Sequence, residues 1–327
     1  MRAPPALPGG RLDAQGWRTY SRKGPNSCLA AARSTFVTLH QGSAGFEHAG
    51  TIEFLARSAH TMSVEVTAAA PLVRTVRDGG IATLALNRPE RFNPLSAEMI
   101  AALQAELDAI AGDTSIRVVI LGAEGRGFCA GHDLKEMRAH AGDKAWQRRL
   151  FDECSRMMMT LTRLPQPVIA RVHGIATAAG CQLVSMCDLA VAADTATFAM
   201  PGVNIGVFCS TPAVGVARNV GRKRAMEMLF TGEPIDAHTA LAWGLVNRVV
   251  PADALDAEVR RFADIILARS PAAVRMGKET FYRQIDRPLD TAYEVASETM
   301  SSNMLLEDAA EGIDAFLQKR RANWRGR

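Results

Sequence analysis

Two stretches of small residues could do chemistry through their main chain rather than their side chains. The first is Phe128-Cys129-Ala130-Gly131-His132-Asp133-Leu134-Lys135, which follows an apolar run through Gly125 and Gly127. The second is His173-Gly174-Ile175-Ala176-Thr177-Ala178-Ala179-Gly180-Cys181-Gln182, between another apolar run and a helical pattern. Small residues let a bulky ligand approach the backbone, and exposed N–H groups at a helix start favour negative charge. Taken singly, the first reads as a plain turn and the second as close helix packing. Neither is a dinucleotide fingerprint, because the G-x-G-x-x-G order and its acidic partner are absent. Taken together, they suggest one amide from each loop stabilising a thioester oxygen as it becomes enolate-like, where such donors act most strongly.

The elements around these loops alternate. Asp78-Gly79-Gly80 is a turn signal, and Ile81 to Leu86 a short apolar run broken by Pro89. Ser96 is placed to cap a helix to about Ala111, with Met99, Leu103, Leu107 and Ile110 at helical spacing. Arg117 to Leu121 reads as a strand covered on both faces. A helix over about 145–164 leads through Pro165 and Pro167 to a strand at Val168 to Val172. A small-residue helix from about Ala178 to Met186, a strand at Leu189 to Ala192 and an extended Thr197 to Ala199 follow. This order argues for a layered α/β core. Beyond Pro212 the patterns are helical, and the last ones, over about 271–285, 291–304 and 309–319, carry apolar faces that need the core or a partner subunit to cover them.

The chain divides near residue 61. Residues 1–61 are rich in Pro, Gly and Arg, with only Asp13, Glu47 and Glu53 as acids. A targeting leader, a disordered appendage, or a true start at Met62 would each produce this composition. The remainder is expected to form a core over 62–270 and a helical region over 271–327.

With 38 basic and 34 acidic residues, the net charge of +4 argues against a nucleic-acid partner. Six cysteines with no CxxC pair and no zinc-ligand spacing read as free thiols, and no metal is expected. No window has the length of uncharged apolar sequence needed to span a bilayer.

Phe128-Cys-Ala-Gly-His-Asp-Leu-Lys-Glu-Met137, Gly174 through Asp188, and Phe198-Ala-Met-Pro-Gly-Val-Asn-Ile-Gly206 together resemble the enoyl-CoA hydratase/isomerase, or crotonase, family. The resemblance runs from about Val73 to Trp324. Gly180-Cys-Gln-Leu183 and Phe208-Cys-Ser-Thr-Pro212 are similar to its mitochondrial hydratase-domain branch. The resemblance implies an α/β, crotonase-like fold of repeated ββα units with a helical C-terminal region. It implies an acyl-CoA thioester as substrate or ligand, with no other cofactor, and assembly as a homotrimer or homohexamer. By position, the Ala130 and Ala179 amides form the oxyanion hole, Asn87, Arg88 and Pro89 help wrap the CoA, and Lys319 approaches its phosphorylated ribose.

Two positions depart from the family pattern. Hydration of an enoyl thioester needs groups that activate water and protonate carbon, which two carboxyls supply. The family's two glutamates fall at Gln182, whose amide does not titrate, and at Gly202, which has no side chain. An ordinary two-glutamate hydratase is therefore not expected. Gly202 would also leave room for an anion acting as base. His132 stands as a candidate acid or base, or as a CoA contact. Cys209 is a candidate nucleophile, or a packing residue at a helix start. Asp133 and Asp188 read as structural. A non-enzymatic acyl-CoA-binding protein is the alternative to an atypical enzyme. The compartment follows the leader: mitochondrial matrix if it is a transit peptide, cytoplasm if the protein is bacterial or the leader is not real.

Overall fold

A computed structural model describes residues 70–327; the proposals for residues 1–61, and the boundary at Met62, lie outside the described residues. Strands β1 (Val73–Asp78) and β2 (Ile81–Leu86) form a hairpin closed by Gly79 and Gly80 at φ 55° and 85°. A two-residue loop with both φ positive matches the twist of an antiparallel pair, and glycine adopts it without strain. Strands β3 (Val118–Ala123), β4 (Val168–Val172), β6 (Leu189–Ala193) and β9 (Arg248–Val250) then add in parallel, giving the order β1-β2-β3-β4-β6-β9. A second small sheet holds β5 (Ala176–Thr177), β7 (Thr197–Ala199) and β8 (Ile235–Asp236).

The two sheets are built by one repeated step: a long strand, a short extended piece, then a helix. After β2, Leu95 bridges to His132 and Ser96 caps α1 (Ala97–Ala111) by accepting the Met99 N–H. After β3, Cys129 bridges to Ala176 before α2 (Leu134–Ala139) and α3 (Lys144–Arg163). After β4 come β5 and α4 (Ala179–Met186); after β6 come β7 and α5 (Ser210–Val220). Because β3 and β4 are adjacent and parallel, the turns that follow them run side by side.

Both faces of the large sheet are covered, which is why its strands read as continuous apolar runs. One face packs on α1, α3 and α4 through residues such as Leu103, Leu121, Met157 and Leu183. The other meets α8 (Leu255–Leu267) through Ile120, Ile169, Val191 and Val259. Helices α6 (Arg222–Thr231) and α7 (Ala237–Trp243) lie between α5 and β9 in the chain. Three last helices complete it: α9 (Pro271–Gln284), α10 (Leu289–Met304) and α11 (Glu307–Leu317).

The chain after α11 is tied back by Glu311, which accepts from Arg320 Nη1 at 2.6 Å and from the Asn323 N–H at 2.7 Å. Those Arg320 hydrogen bonds first, and the Asn323 N–H second, pull its carboxyl from 4.5 to about 2. A depressed carboxylate contributes stability that is complete above its unfolded value and fades as pH falls through the folded one. The Asn323 amide resonance should therefore hold its position above pH 4.5 and move only as pH approaches about 2. A midpoint at the ordinary glutamate value would show that Arg320 does not hold this carboxyl in solution.

Candidate active site

The turns after β3 and β4 meet because two glycines let them. A Cβ on Gly131, whose φ is +90°, would lie 3.0 Å from Ala178 Cβ and 3.4 Å from Ala179 N. One on Gly180 would lie 2.8 Å from the Cys129 carbonyl carbon and overlap the Cys129 oxygen. Ala178 adds a strained residue at the junction, at φ 49° and ψ −116°. Such a backbone in a non-glycine residue costs about 1–3 kcal/mol, and strain of this kind gathers at functional turns.

Accounting for the amides identifies which can serve a ligand. The Phe128 and Cys129 N–H groups both donate to Ile175 O at 3.0 Å, and the Ala178 N–H donates to Ala199 O at 2.9 Å. The Ala130 N–H, expected to face a ligand, instead donates to Phe92 O at 2.9 Å. By contrast, the His132 N–H in the first turn and the Ala179 N–H in the second have no acceptor among the described residues.

Phe92 reaches Ala130 through a conformation no side-chain pattern signals. Phe92 and Asn93 are consecutive left-handed residues, at φ 59° and 53°. Asn93 is fully buried and explains the geometry: its Nδ2 donates to Glu124 O and Gly127 O at 2.9 Å, and its Oδ1 accepts the Arg88 N–H at 2.8 Å. Asparagine tolerates the left-handed region better than most residues, and its three bonds staple the loop after β2 to the loop after β3. Asn93→Ala should cost roughly 3 kcal/mol, because it leaves buried main-chain groups unpaired. Urea unfolding measures this, and a change well below 1 kcal/mol would mean the two loops hold together without it.

The other site candidates divide. Gln182 is 4% exposed on α4, and its Oε1 has no hydrogen-bond partner. A buried acceptor without a donor is uncommon and is satisfied when a ligand or water supplies one. Gly202 is buried in the 3-10 turn Pro201–Ile205, but a Cβ there would run into the Val207 carbonyl oxygen and lie 2.8 Å from Cys209 Sγ. The room expected at Gly202 is therefore filled by the chain's own backbone. Cys209 is 7% exposed, and burial pushes its thiol up, away from the thiolate a nucleophile needs.

His132 sets its ring edge-on to Phe151 at 5.3 Å and its Nδ1 3.2 Å from Leu95 O. Burial pushes its imidazole down, against the Leu95 hydrogen bond, and its Nε2 is buried without a hydrogen-bond partner. Asn87 donates from Nδ2 to Pro71 O at 2.8 Å, Arg88 sits 3.7 Å from Glu98, and Pro89 opens a 3-10 turn packed on Gly125. Lys319 is exposed at the end of α11, in the left-handed region, and none of its hydrogen bonds reaches these loops.

Carboxylates near the turns are already engaged. Asp133 caps α2 by accepting the Lys135 and Glu136 N–H groups and pairs with Arg91 at 2.7 Å. Glu136 accepts the Ala97 N–H at 3.0 Å, and Glu124 pairs with Arg74 at 3.0 Å. Among the described residues no cluster of His, Cys, Asp and Glu could hold a metal ion.

Repeated ββα steps, touching glycine turns and unpaired amides define a class, and the chain belongs to the enoyl-CoA hydratase/isomerase family, whose model matches residues 77–327. The fold is the crotonase-like α/β fold with a helical C-terminal region. Within that family the chain is similar to enoyl-CoA hydratase domain-containing protein 3, mitochondrial. It is 46% identical to the Xenopus laevis protein over 276 residues, covering 84% of this chain and 92% of the relative. It is 48% identical to the human one over 245 residues, covering 75% and 80%. Among solved structures, an enoyl-CoA hydratase from Mycobacterium smegmatis superposes with a TM-score of 0.77 at 54% identity, covering 78% of this chain and 99% of that one. The human domain-containing protein 3 gives 0.75 at 46%, covering 77% and 100%. Acyl-CoA thioesters are thus the ligand class the family supports.

Proposed function

We propose that this chain holds a fatty acyl-CoA thioester with its carbonyl oxygen between the His132 and Ala179 main-chain N–H groups, and that it hydrates enoyl thioesters weakly or not at all. The observation that carries this reading is the pair of acceptor-free amides flanking Gly131, beside a buried glutamine in place of a carboxylate. Two amides aimed at one oxygen stabilise an enolate-like state for any reaction at the α-carbon. Water addition needs an acid and a base as well, and the nearby carboxylates are tied to Arg91, Arg74 and helix starts. The family's hydratase or isomerase chemistry therefore runs here in an atypical form. The second reading, a non-enzymatic acyl-CoA-binding or regulatory protein, is favoured by the same shortage of free carboxylates.

The apolar side chains left in solvent on the last helices support a homotrimer or homohexamer. Leu305 and Phe316 are 87% and 82% exposed, and faces of this kind are normally covered. In such an assembly Lys319 would reach the CoA of a neighbouring copy, with Asn87 to Pro89 wrapping the same ligand. The mitochondrial names of the domain-containing relatives support a mitochondrial location.

Calorimetry with octanoyl-CoA tests the site. The full chain should bind it, and Ala179→Pro should weaken binding up to about tenfold, since one neutral hydrogen bond is worth roughly 0.5–1.5 kcal/mol. Proline is tolerated at the first helical position but restricts the residue before it, and Ala178 lies at ψ −116°, so the melting temperature is read beside the affinity. Absence of binding would refute the thioester site; binding with no product from crotonyl-CoA would select the non-enzymatic reading.

A further inference from the structure

The parallel strands have a second end, and a separate cleft of about 390 Å³ lies there. It is lined by Ile116 and Arg117 just before β3, by Gln166 just before β4, and by Val274 and Arg275 in the first turns of α9. Arg325, from the chain after α11, closes it. The acyl-CoA turns follow the opposite ends of the same strands, so the two sites share no lining.

Three arginines line this cleft, and no acidic residue does. Arg275 has no acidic partner among the described residues, and Arg325 reaches only Glu307, at 3.5 Å. Arg117 donates from Nη2 to Arg269 O at 2.5 Å, while its Nε is buried without an acceptor. Asp308, whose charge acts on Arg117, already accepts from Ser270 Oγ at 2.6 Å and from the Arg325 and Gly326 N–H groups at 2.7 and 3.0 Å. Helix α9 is fourteen residues long and begins in the wall, so its positive end adds to the three charges. Gln166 is 5% exposed, and its Oε1 is a second orphan, an acceptor.

We propose that this cleft is a second ligand site, built for a small organic carboxylate with an apolar body. The planar fork of arginine matches a carboxylate in two parallel hydrogen bonds. Ile116, Ile266, Val274 and the ring of Pro271 supply an apolar wall. An ion polar on every side, such as inorganic phosphate, would bury charge against that wall without return. A carboxylate carrying a short alkyl chain suits the arginines and the apolar wall, although it has no donor for the Gln166 Oε1 acceptor.

Calorimetry on the full chain, with hexanoate and with inorganic phosphate as probes, tests the site. Hexanoate should bind saturably, more tightly than phosphate, and equally well with octanoyl-CoA present. Arg275→Gln, on an exposed position outside the acyl-CoA turns, should weaken hexanoate about tenfold, the scale of one charged hydrogen bond. It should leave the melting temperature and octanoyl-CoA binding unchanged. No saturable binding, displacement by octanoyl-CoA, equal binding of phosphate, or indifference to Arg275→Gln would each overturn the proposal.

Discussion

Gly202→Glu is expected to destabilise the chain by about 4 kcal/mol or more, rather than to install the missing carboxylate. The Cβ alone meets the Val207 carbonyl oxygen, which is main chain, and lies 2.8 Å from Cys209 Sγ. The Val207 N–H in turn donates to Gly202 O at 2.9 Å, so the segment cannot open without losing its own hydrogen bond. Gly202→Ala should show much of the same loss, because the collision begins at the first side-chain atom. Thermal and urea unfolding of both variants give the answer. An alanine variant as stable as the parent would show that the segment yields and that the glutamate site is only dormant. Gln182→Glu is the complementary change: it preserves shape, should keep the fold, and tests a single carboxylate beside the amides. A Gln182→Glu protein that hydrates crotonyl-CoA rapidly would contradict the need for two carboxyl groups.

Lys278→Met should cost about 3–5 kcal/mol, the usual loss when one member of a buried ion pair is removed. Lys278 Nζ has three donors and three acceptors: Asp188 Oδ2 at 2.6 Å, Leu161 O at 2.8 Å and Gln166 O at 2.9 Å. Burial pushes its ammonium down, and Asp188 opposes that shift. Asp188 also accepts from Tyr282 Oη at 2.9 Å and from the Val168 N–H at 2.7 Å. One cluster thereby fastens α9 to the end of α3, to the entry of β4 and to the chain following α4. Removing the ammonium leaves a half-buried carboxylate and two carbonyls short of a donor. Tyr282→Phe, which removes one charged hydrogen bond, should cost about 1.5–3 kcal/mol. Urea midpoints at constant slope measure both, and a Lys278→Met loss under 1 kcal/mol would mean α9 is held by apolar contacts alone.

Much of this fold was legible in local pattern. Ser96, the apolar spacing of α1 and the continuous runs of β3, β4 and β6 each carry a local physical signature. The small-sheet strands β5 and β8 were not legible, because two extended residues leave no period to read. Helix α5 falls within the stretch beyond Pro212 whose pattern is helical but begins earlier, at Ser210; a Cβ on Gly215 near its centre would lie 2.9 Å from Met186 Sδ, so the glycine serves close packing on α4.

The sequence by itself determined the alternation of strands and helices, the two small-residue turns, and the absence of a glutamate at positions 182 and 202. Composition and periodicity are local, and a missing side chain stays missing in any fold. Only the tertiary structure decided which amides remain available. Ala130 and His132 stand two residues apart in one turn, yet Ala130 is engaged by Phe92 O, through a left-handed pair held by Asn93 from another loop. An N–H group is free or engaged according to what the distant chain brings to it, and no local pattern contains that information.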